Sequence, residues 1–399
     1  MGRGVAYSTT EPAHLLNVPA DGMSAWAKDP DHFARRFEAE GGDRCGFAQR
    51  RFFARYLGEM LNKAVSTGCI ELVEKTVVGG TREGSGWRVS FDDGSSIGAF
   101  ALVLALGNQE PESLRVFEGV GSRFIRNPWG ADARAAVQEL AESGETALLV
   151  GTGLTMVDLV LSLDAAEHRG RIVALSRRGL VPREHADYEP LCVEQEEVPT
   201  GSVRALWRWL RQRGAEVGWR AAIDSLRPHS HPLWQSLSAD QQRRFLRHAR
   251  PWWDVHRHRI APEVAATVAR MVADGRLEIV AGRIVSAREG QASLEVEFRR
   301  RRASATDSMT FGYGFNCTGP LHSITRSKGP LLRSLLNAGQ VQPDHLGIGL
   351  EIDETCRAGE HLWAMGPLTK GRYWEIIAVP DIRDQADQVA DDIQRELGI

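Results

Sequence analysis

The segment TALLVGTGLTMVDLVLSL, residues 146–163, constrains this chain more than any other stretch. An apolar run enters Gly151-Thr152-Gly153 and leaves as a helix-patterned segment. A strand that turns on glycines into a helix aims backbone N–H groups and the positive end of the helix dipole at one point, which suits a pyrophosphate. A lone G-x-G is a weak signal, and Met156 stands where a third glycine or alanine is usual. The context strengthens it, because RIVAL (171–175) supplies a second strand at the interval a βαβ unit requires. The expectation is a nucleotide-binding unit in which Gly151 and Gly153 give the tight turn and the close approach, and Thr155 adds a hydroxyl. The alternative is a structural strand–turn–helix with no ligand.

The end of the second strand decides which dinucleotide such a unit takes. An Asp or Glu there holds a ribose 2′-OH, whereas cations suit a 2′-phosphate. Here the strand runs into Ser176-Arg177-Arg178 with no acid beside them. A hydroxyl and two guanidiniums favour NADPH over NADH; the plainer reading is a solvated basic turn.

The rest of the pattern is α/β with an insertion. Residues 1–60 mix loop with helical patterns around 30–40 and 47–63. From Ile70 the period becomes that of strands: IELVEKTVV, WRVSF, the turn Asp92-Asp93-Gly94, then AFALVLAL. Strand patterns return near 277–300, 309–316 and 362–365, and a final helix is bracketed by Pro380 and Gly398. Five scattered cysteines without a C-x-x-C pair fit reduced thiols in a cytoplasmic protein, and no cluster suggests a metal. No run approaches the roughly 18 apolar residues of a membrane span. Residues 200–260 hold twelve arginines against four acids, together with Trp207, Trp209, Trp219, Trp234, Trp252 and Trp253. The net charge of −3 and the helical spacing argue against nucleic acid. A solvated basic insert over packed tryptophans is the default reading. Arg257 and Arg259 are candidates for a substrate carboxylate.

Several segments in order carry a family resemblance: GRGVAYSTTEPAHLLNVPADGMSA (2–25), FAQRRFFARYL (47–57), LALGNQEP (104–111), NPWG (127–130), VGTGLTMVDLVLSL (150–163), ALSRRGLVP (174–182), FNCTGP (315–320) and AMGPLTKGRYWEIIAVPDIRDQA (364–386). Together they resemble the FAD/NAD(P)-binding flavoproteins, a group that includes FAD-dependent urate hydroxylases and L-aspartate N-monooxygenases. The group is related more distantly to the N-hydroxylating and Baeyer–Villiger monooxygenases. The resemblance implies two Rossmann-like, three-layer dinucleotide-binding domains, the first interrupted by the second. The FAD-binding domain would take residues 1–126 and 308–399, and the NADP-binding domain residues 127–307, with the basic helical insert at about 193–262. It further implies FAD and NADPH as cofactors. Asn17, Arg50, Gly366 and Pro367 would contact the flavin cofactor, and Trp374 and Glu375 would wall the reaction cavity.

Members of this group begin with a strand, a glycine turn, a helix and an acid-ended strand before the segment that opens this chain. The resemblance therefore implies a first domain lacking its FAD-binding βαβ unit, through a start placed at an internal Met or a truncated gene. The activity implied is hydride transfer from NADPH to FAD, followed by oxygen addition to give a flavin hydroperoxide that hydroxylates a small polar, amino-acid- or purine-like molecule. Two other readings stay open: an NADPH-dependent flavin reductase or dehydrogenase without oxygenation, and a non-catalytic NADPH-binding protein. The partners expected are the small molecule and molecular oxygen, with neither nucleic acid nor membrane.

Two outcomes follow from these residues. NADPH is expected to bind at least about tenfold tighter than NADH, the size of gap that a charge-assisted contact of about 1.5–3 kcal/mol provides. Arg177→Ala/Arg178→Ala should bring the ratio towards one by weakening NADPH alone. Calorimetric titration with both cofactors checks this, and equal affinities in the unmutated protein refute it. The 399-residue chain is expected to purify colourless or poorly soluble, and a chain extended upstream to purify yellow, which visible absorbance reads directly.

Overall fold

The run Ala147–Val150 is buried along its whole length, as a strand covered on both faces must be. The computed structural model describes residues 2 and 4–398 and contains thirteen strands among them. In chain order these are β1 (Val77–Glu83), β2 (Gly86–Phe91), β3 (Ser96–Ala99), β4 (Leu102–Leu104), β5 (Phe124–Ile125), β6 (Ala147–Val150), β7 (Ile172–Ser176), β8 (Leu277–Glu289), β9 (Leu294–Arg300), β10 (Asp307–Phe311), β11 (Tyr313–Asn316), β12 (Arg357–Gly359) and β13 (Leu362–Ala364).

β6 lies near the middle of a seven-stranded sheet of order β10-β9-β8-β7-β6-β11-β5. It pairs in parallel with β7 and with β11, and β11 pairs in parallel with β5. β8 serves twice: its first half runs parallel to β7, and its second half turns back antiparallel against β9. Helices Ala131–Ser143, Leu154–Ala165 and Pro262–Ala273 cover one face, burying Leu140, Met156, Val160, Leu163 and Met271. Phe117, Val120 and the apolar side of β9 and β10 cover the other. This is a doubly covered mixed sheet, parallel from β5 to the first half of β8 and antiparallel through β9 and β10, the second of two α/β units.

The first unit is split around it. β4 pairs in parallel with β13, so Leu102 meets Leu362 across the whole second unit. β12 completes a three-stranded sheet, and the β1-β2-β3 meander turns at Gly94, whose φ of +82° suits glycine. Among the described residues β4 has no partner on its other edge, and Phe100, Val103 and Leu106 stand exposed along it.

Three sequence expectations shift. The second unit's sheet takes in β5, β10 and β11, so it extends at both ends beyond 127–307. The segment 70–74 is not a strand; Ile70 and Leu72 are exposed there, and pairing begins at Val77. The helical insert packs Trp234 and Trp253 into one core with Trp374, Leu346 and Ile348 of the first unit, so beneath its basic surface it also bridges the two units.

The two units are also joined at the N-terminal side. Arg50, at the start of the helix Arg50–Ser66, donates both terminal nitrogens to Asp158 at 2.9 Å each and its Nε to the Leu15 carbonyl at 3.0 Å. Both side chains are about nine-tenths buried. His14 adds a bond from Nε2 to the Asp158 carbonyl at 2.9 Å. Breaking one side of a buried pair leaves an uncompensated charge, whereas replacing both costs far less. Arg50→Met is expected to destabilise by about 3–5 kcal/mol, and Arg50→Met/Asp158→Met to recover most of that. A double-mutant cycle by urea unfolding measures both numbers.

Candidate functional site

β6 delivers the chain to Gly151, whose φ is +118°. A Cβ there would lie 2.2 Å from the Cys317 carbonyl oxygen, so the exit of β11 alone demands glycine. Gly153 precedes the helix Leu154–Ala165; nothing lies within 4 Å of where its Cβ would sit, and no side chain caps the helix. That combination leaves open space in front of unsatisfied helix N–H groups. Thr155 sits half-buried in the first turn. The engaged hydroxyl is Thr152 instead, which is buried and bonds to Ser176 Oγ at 2.9 Å and to the Leu180 carbonyl. Ser176 Oγ in turn accepts the Gly179 N–H at 3.0 Å. Its oxygen therefore shapes the turn after β7, which differs from the phosphate contact expected of it.

Arg177 is exposed beside this turn, and Arg178 donates to the His248 carbonyl at 3.2 Å. Burial, then the charges of Arg177 and Arg301, hold the Arg178 guanidinium below its ordinary value, and no acid is among the groups it feels. Three cations thus gather at the carboxyl end of β7–β8 without a carboxylate to neutralise them. This arrangement, with the open helix N-terminus at Gly153, fits a 2′-phosphorylated dinucleotide.

A second cleft forms where the carboxyl ends of three strands meet. β4 leads to Gly107, β11 to Gly319 and β13 to Gly366, all at positive φ (+62°, +86° and +64°). Gly107, Asn108, Pro320, Leu321, Pro367 and Lys370 line it. The Gly366–Thr369 turn is held from the last helix: buried Gln385 accepts the Gly366 N–H at 2.6 Å and donates to Thr369 Oγ1 at 3.0 Å.

Beyond Lys370 the same loop carries Trp374 and Glu375 into the insert. Glu375 is buried; its Oε1 accepts Trp253 Nε1–H at 2.7 Å and its Oε2 stands 3.3 Å from Arg257 Nε. Two expected residues, Glu375 and Arg257, are therefore brought together. Trp374 stacks on Trp234 (5.2 Å between centroids), with Phe245 edge-on and the Arg250 guanidinium over its ring. Trp374 Nε1 and Asp381 Oδ2 are buried without a hydrogen-bond partner, whereas Glu375 Oε2 and Arg257 Nε, also without a well-aligned hydrogen bond, face each other as an ion pair. Burial pushes Asp254 and Asp381 up, with Glu375 nearby adding to both.

The other expected residues lie elsewhere. Arg50 is paired with Asp158, and both line a small cavity together with Asn17. Asn17 is half-buried, with its carbonyl accepting His185 Nε2 at 3.0 Å. Arg259 is buried against Asp224, with its guanidinium over Tyr188 and Trp219, and does not join Glu375. Gly366 and Pro367 form a strand-end turn at the cleft. Among the described residues the first unit has no strand–glycine turn–helix to receive a pyrophosphate. Lys370, Asp254 and Gln385 escaped sequence reading. Lys370 lies inside the segment 364–386 that carries the resemblance, but nothing in its neighbours marks it as a cleft residue.

Burial, reinforced by Arg250, pushes the Lys370 amine down to about 8, against the pull of Asp254 and Glu375. Its ordinary value is 10.5, so between those limits the unfolded chain holds more protons and the Lys370 contribution to stability rises with pH. Lys370→Met is therefore expected to raise Tm at about pH 7, with the gain shrinking at about pH 10, as paired calorimetric scans of both proteins would record.

Residues 1–109 match the family model described as FAD-NAD(P)-binding. An uncharacterised protein of Mycobacterium tuberculosis is 26% identical over 129 residues, which is 30% of this chain and 24% of the relative. An uncharacterised protein of Mycobacterium bovis matches to the same extent. The match thus spans about a quarter of these curated relatives. The structure is similar to L-lysine 6-monooxygenase from Pseudomonas syringae, with a TM-score of 0.65 and 18% identity over 96% of this chain and 87% of that one. It is similar to ornithine hydroxylase from Pseudomonas aeruginosa at 0.64 and 13%, covering 99% and 89%. For the ornithine N-hydroxylase of Kutzneria sp. 744 with reduced FAD, NADP⁺ and L-ornithine, the values are 0.64 and 14%, covering 99% and 90%. With two α/β units, one set inside the other, the chain has the fold of these flavin-dependent N-hydroxylases, and its first 109 residues match the FAD-NAD(P)-binding family.

Proposed function

We propose that this chain is an FAD- and NADPH-dependent oxidoreductase, a monooxygenase that hydroxylates a small polar molecule at a nucleophilic nitrogen or carbon. One observation carries the reading. The carboxyl ends of β4, β11 and β13 open on a single cleft bordered by Lys370, and the same loop continues to the buried Glu375–Arg257 pair and the unpartnered Trp374 Nε1. Ligands of open α/β sheets bind at such strand ends. FAD, when bound, supplies the redox-active ring that accepts hydride from NADPH and activates oxygen.

The chain's own residues take the remaining tasks. Arg177 and Arg178 hold the 2′-phosphate, and the turn at Gly153 leaves room for the pyrophosphate. The Glu375–Arg257 pair opens to a polar substrate group, Glu375 Oε2 accepting an N–H or O–H and Arg257 Nε donating to an oxygen in exchange for their 3.3 Å contact with each other. Lys370 Nζ, its pKa lowered to about 8, holds or releases a proton beside the cleft. Trp234, Phe245, Trp253 and Trp374 keep water from that side.

The test is oxygen uptake with NADPH and added FAD across a panel of small amines, amino acids and purines. Uptake stimulated by one compound, with a product heavier by one oxygen atom, is the expected result. NADPH-driven dye reduction that no compound couples to oxygen uptake would assign the chain to the reductase reading instead. Glu375→Gln should raise KM for that compound by about tenfold or more while leaving the Kd for NADPH unchanged.

A further inference from the structure

The basic insert carries a groove that the proposed chemistry does not use. It encloses about 650 Å³ between the helix Val203–Val217 and residues 241–252. Arg204, Arg208 and Arg211 face it from the first wall with Trp207 among them, at spacings of one helix face. The second wall runs through Ala239–Arg244, the π-helical Phe245–Ala249 and Arg250–Arg257. The widened π turn sets Arg244, His248 and Trp252, four residues apart, on one side.

The charge pattern is selective. Of the eight other arginines in 200–260, five have acidic partners: Arg213 has Glu197 and Glu216, Arg243 has Asp240, Arg250 has Asp254, Arg257 has Glu375 and Arg259 has Asp224, while Arg220, Arg227 and Arg247 form no ion pair among the described residues. The four arginines of the groove have none among the described residues, and no carboxylate lines it. Like charges gathered without counter-charge repel, a cost that an anion from outside removes. Trp252, 38% exposed, and Trp207 offer flat apolar faces at the same place. Arg178, at the end of β7, reaches the wall by its bond to the His248 carbonyl, so the positive track continues to Arg177 and Arg301.

We propose that this groove binds a nucleoside polyphosphate, its base stacked on Trp252 or Trp207 and its phosphates on Arg204, Arg208, Arg211 and Arg244. The shared chemistry has two sources: a nucleotide bound independently, or the phosphorylated adenosine end of a dinucleotide seated at Gly151–Gly153. Neither source requires the monooxygenase reading to hold.

The experiment titrates the full chain with ATP, adenosine 2′,5′-bisphosphate and inorganic tripolyphosphate, read by calorimetry and tryptophan fluorescence. Saturable binding of a nucleotide is expected. Arg204→Gln/Arg208→Gln should weaken it by about tenfold or more, and Trp252→Ala should weaken nucleotides but not tripolyphosphate. Arg243→Gln, on the same helix as Arg244 but paired with Asp240 outside the groove, should change nothing. ATP binding alongside NADPH assigns an independent nucleotide; mutual competition, with groove variants weakening NADPH, assigns the dinucleotide end. Both outcomes support the site. Tripolyphosphate binding as tightly as ATP, no saturation by any of the three, or unchanged affinity in Arg204→Gln/Arg208→Gln with an unaltered thermal transition would overturn it. So would selective binding of only a polynucleotide or an acidic protein.

Discussion

The bidentate bond between Arg50 and Asp158 is the contact on which the arrangement of this molecule depends. Asp158 belongs to the helix that starts at Gly153, and Arg50 begins the helix that organises the N-terminal segment. Neither charge could be buried alone, because removing an ion from water costs several kcal/mol that only a well-oriented partner offsets. The pair therefore specifies a register: the first unit docks on the second where both carboxylate oxygens meet both guanidinium nitrogens. His14 adds to this through its bond to the Asp158 carbonyl, and Leu15 through its carbonyl to Arg50. The helix that presents its open N-terminus to the cofactor side is thus held by its middle turns to the other unit.

The sequence made the second unit legible because its signals are local. ALLV and IVALS are continuous apolar runs, the glycine turn lies between them, and Arg177-Arg178 follow directly. What it concealed depends on residues far apart meeting in space. Arg50 reads as a cation on a helix, and nothing beside it announces Asp158. Ser176 reads as a phosphate ligand, yet the turn that absorbs its hydroxyl is closed by Gly179 and Thr152. Gly151 reads as a phosphate glycine, yet the Cys317 carbonyl explains it by close approach. The pairing of Arg257 with Glu375 was reachable only as two separate guesses, and Lys370 gave no signal because its altered proton affinity arises from burial and from Arg250.

The insert changes most between the two views. As composition it is a basic, tryptophan-rich stretch; as structure it presses its tryptophans onto the loop from the cleft. Trp234 Nε1 donates to the Gly371 carbonyl at 2.9 Å, and Trp253 Nε1 to Glu375. Its apolar side makes a wall for the first unit, and its arginines are left for the outside. One segment of about seventy residues in a dinucleotide-binding scaffold can therefore serve shape on one face and charge on the other.

The nesting of one unit inside the other also sets an order of events during synthesis. Everything needed for the seven-stranded sheet, from Phe124 to Asn316, leaves the ribosome before β13 exists. The inner unit can complete its core while β4 still lacks Leu362–Ala364, and the turn at Gly366 lacks Gln385. Contacts this distant in sequence are slow to close, and domains fold as units while the chain emerges. The first unit to begin is thus the last to finish, and its cleft comes into being only when the final helix has arrived.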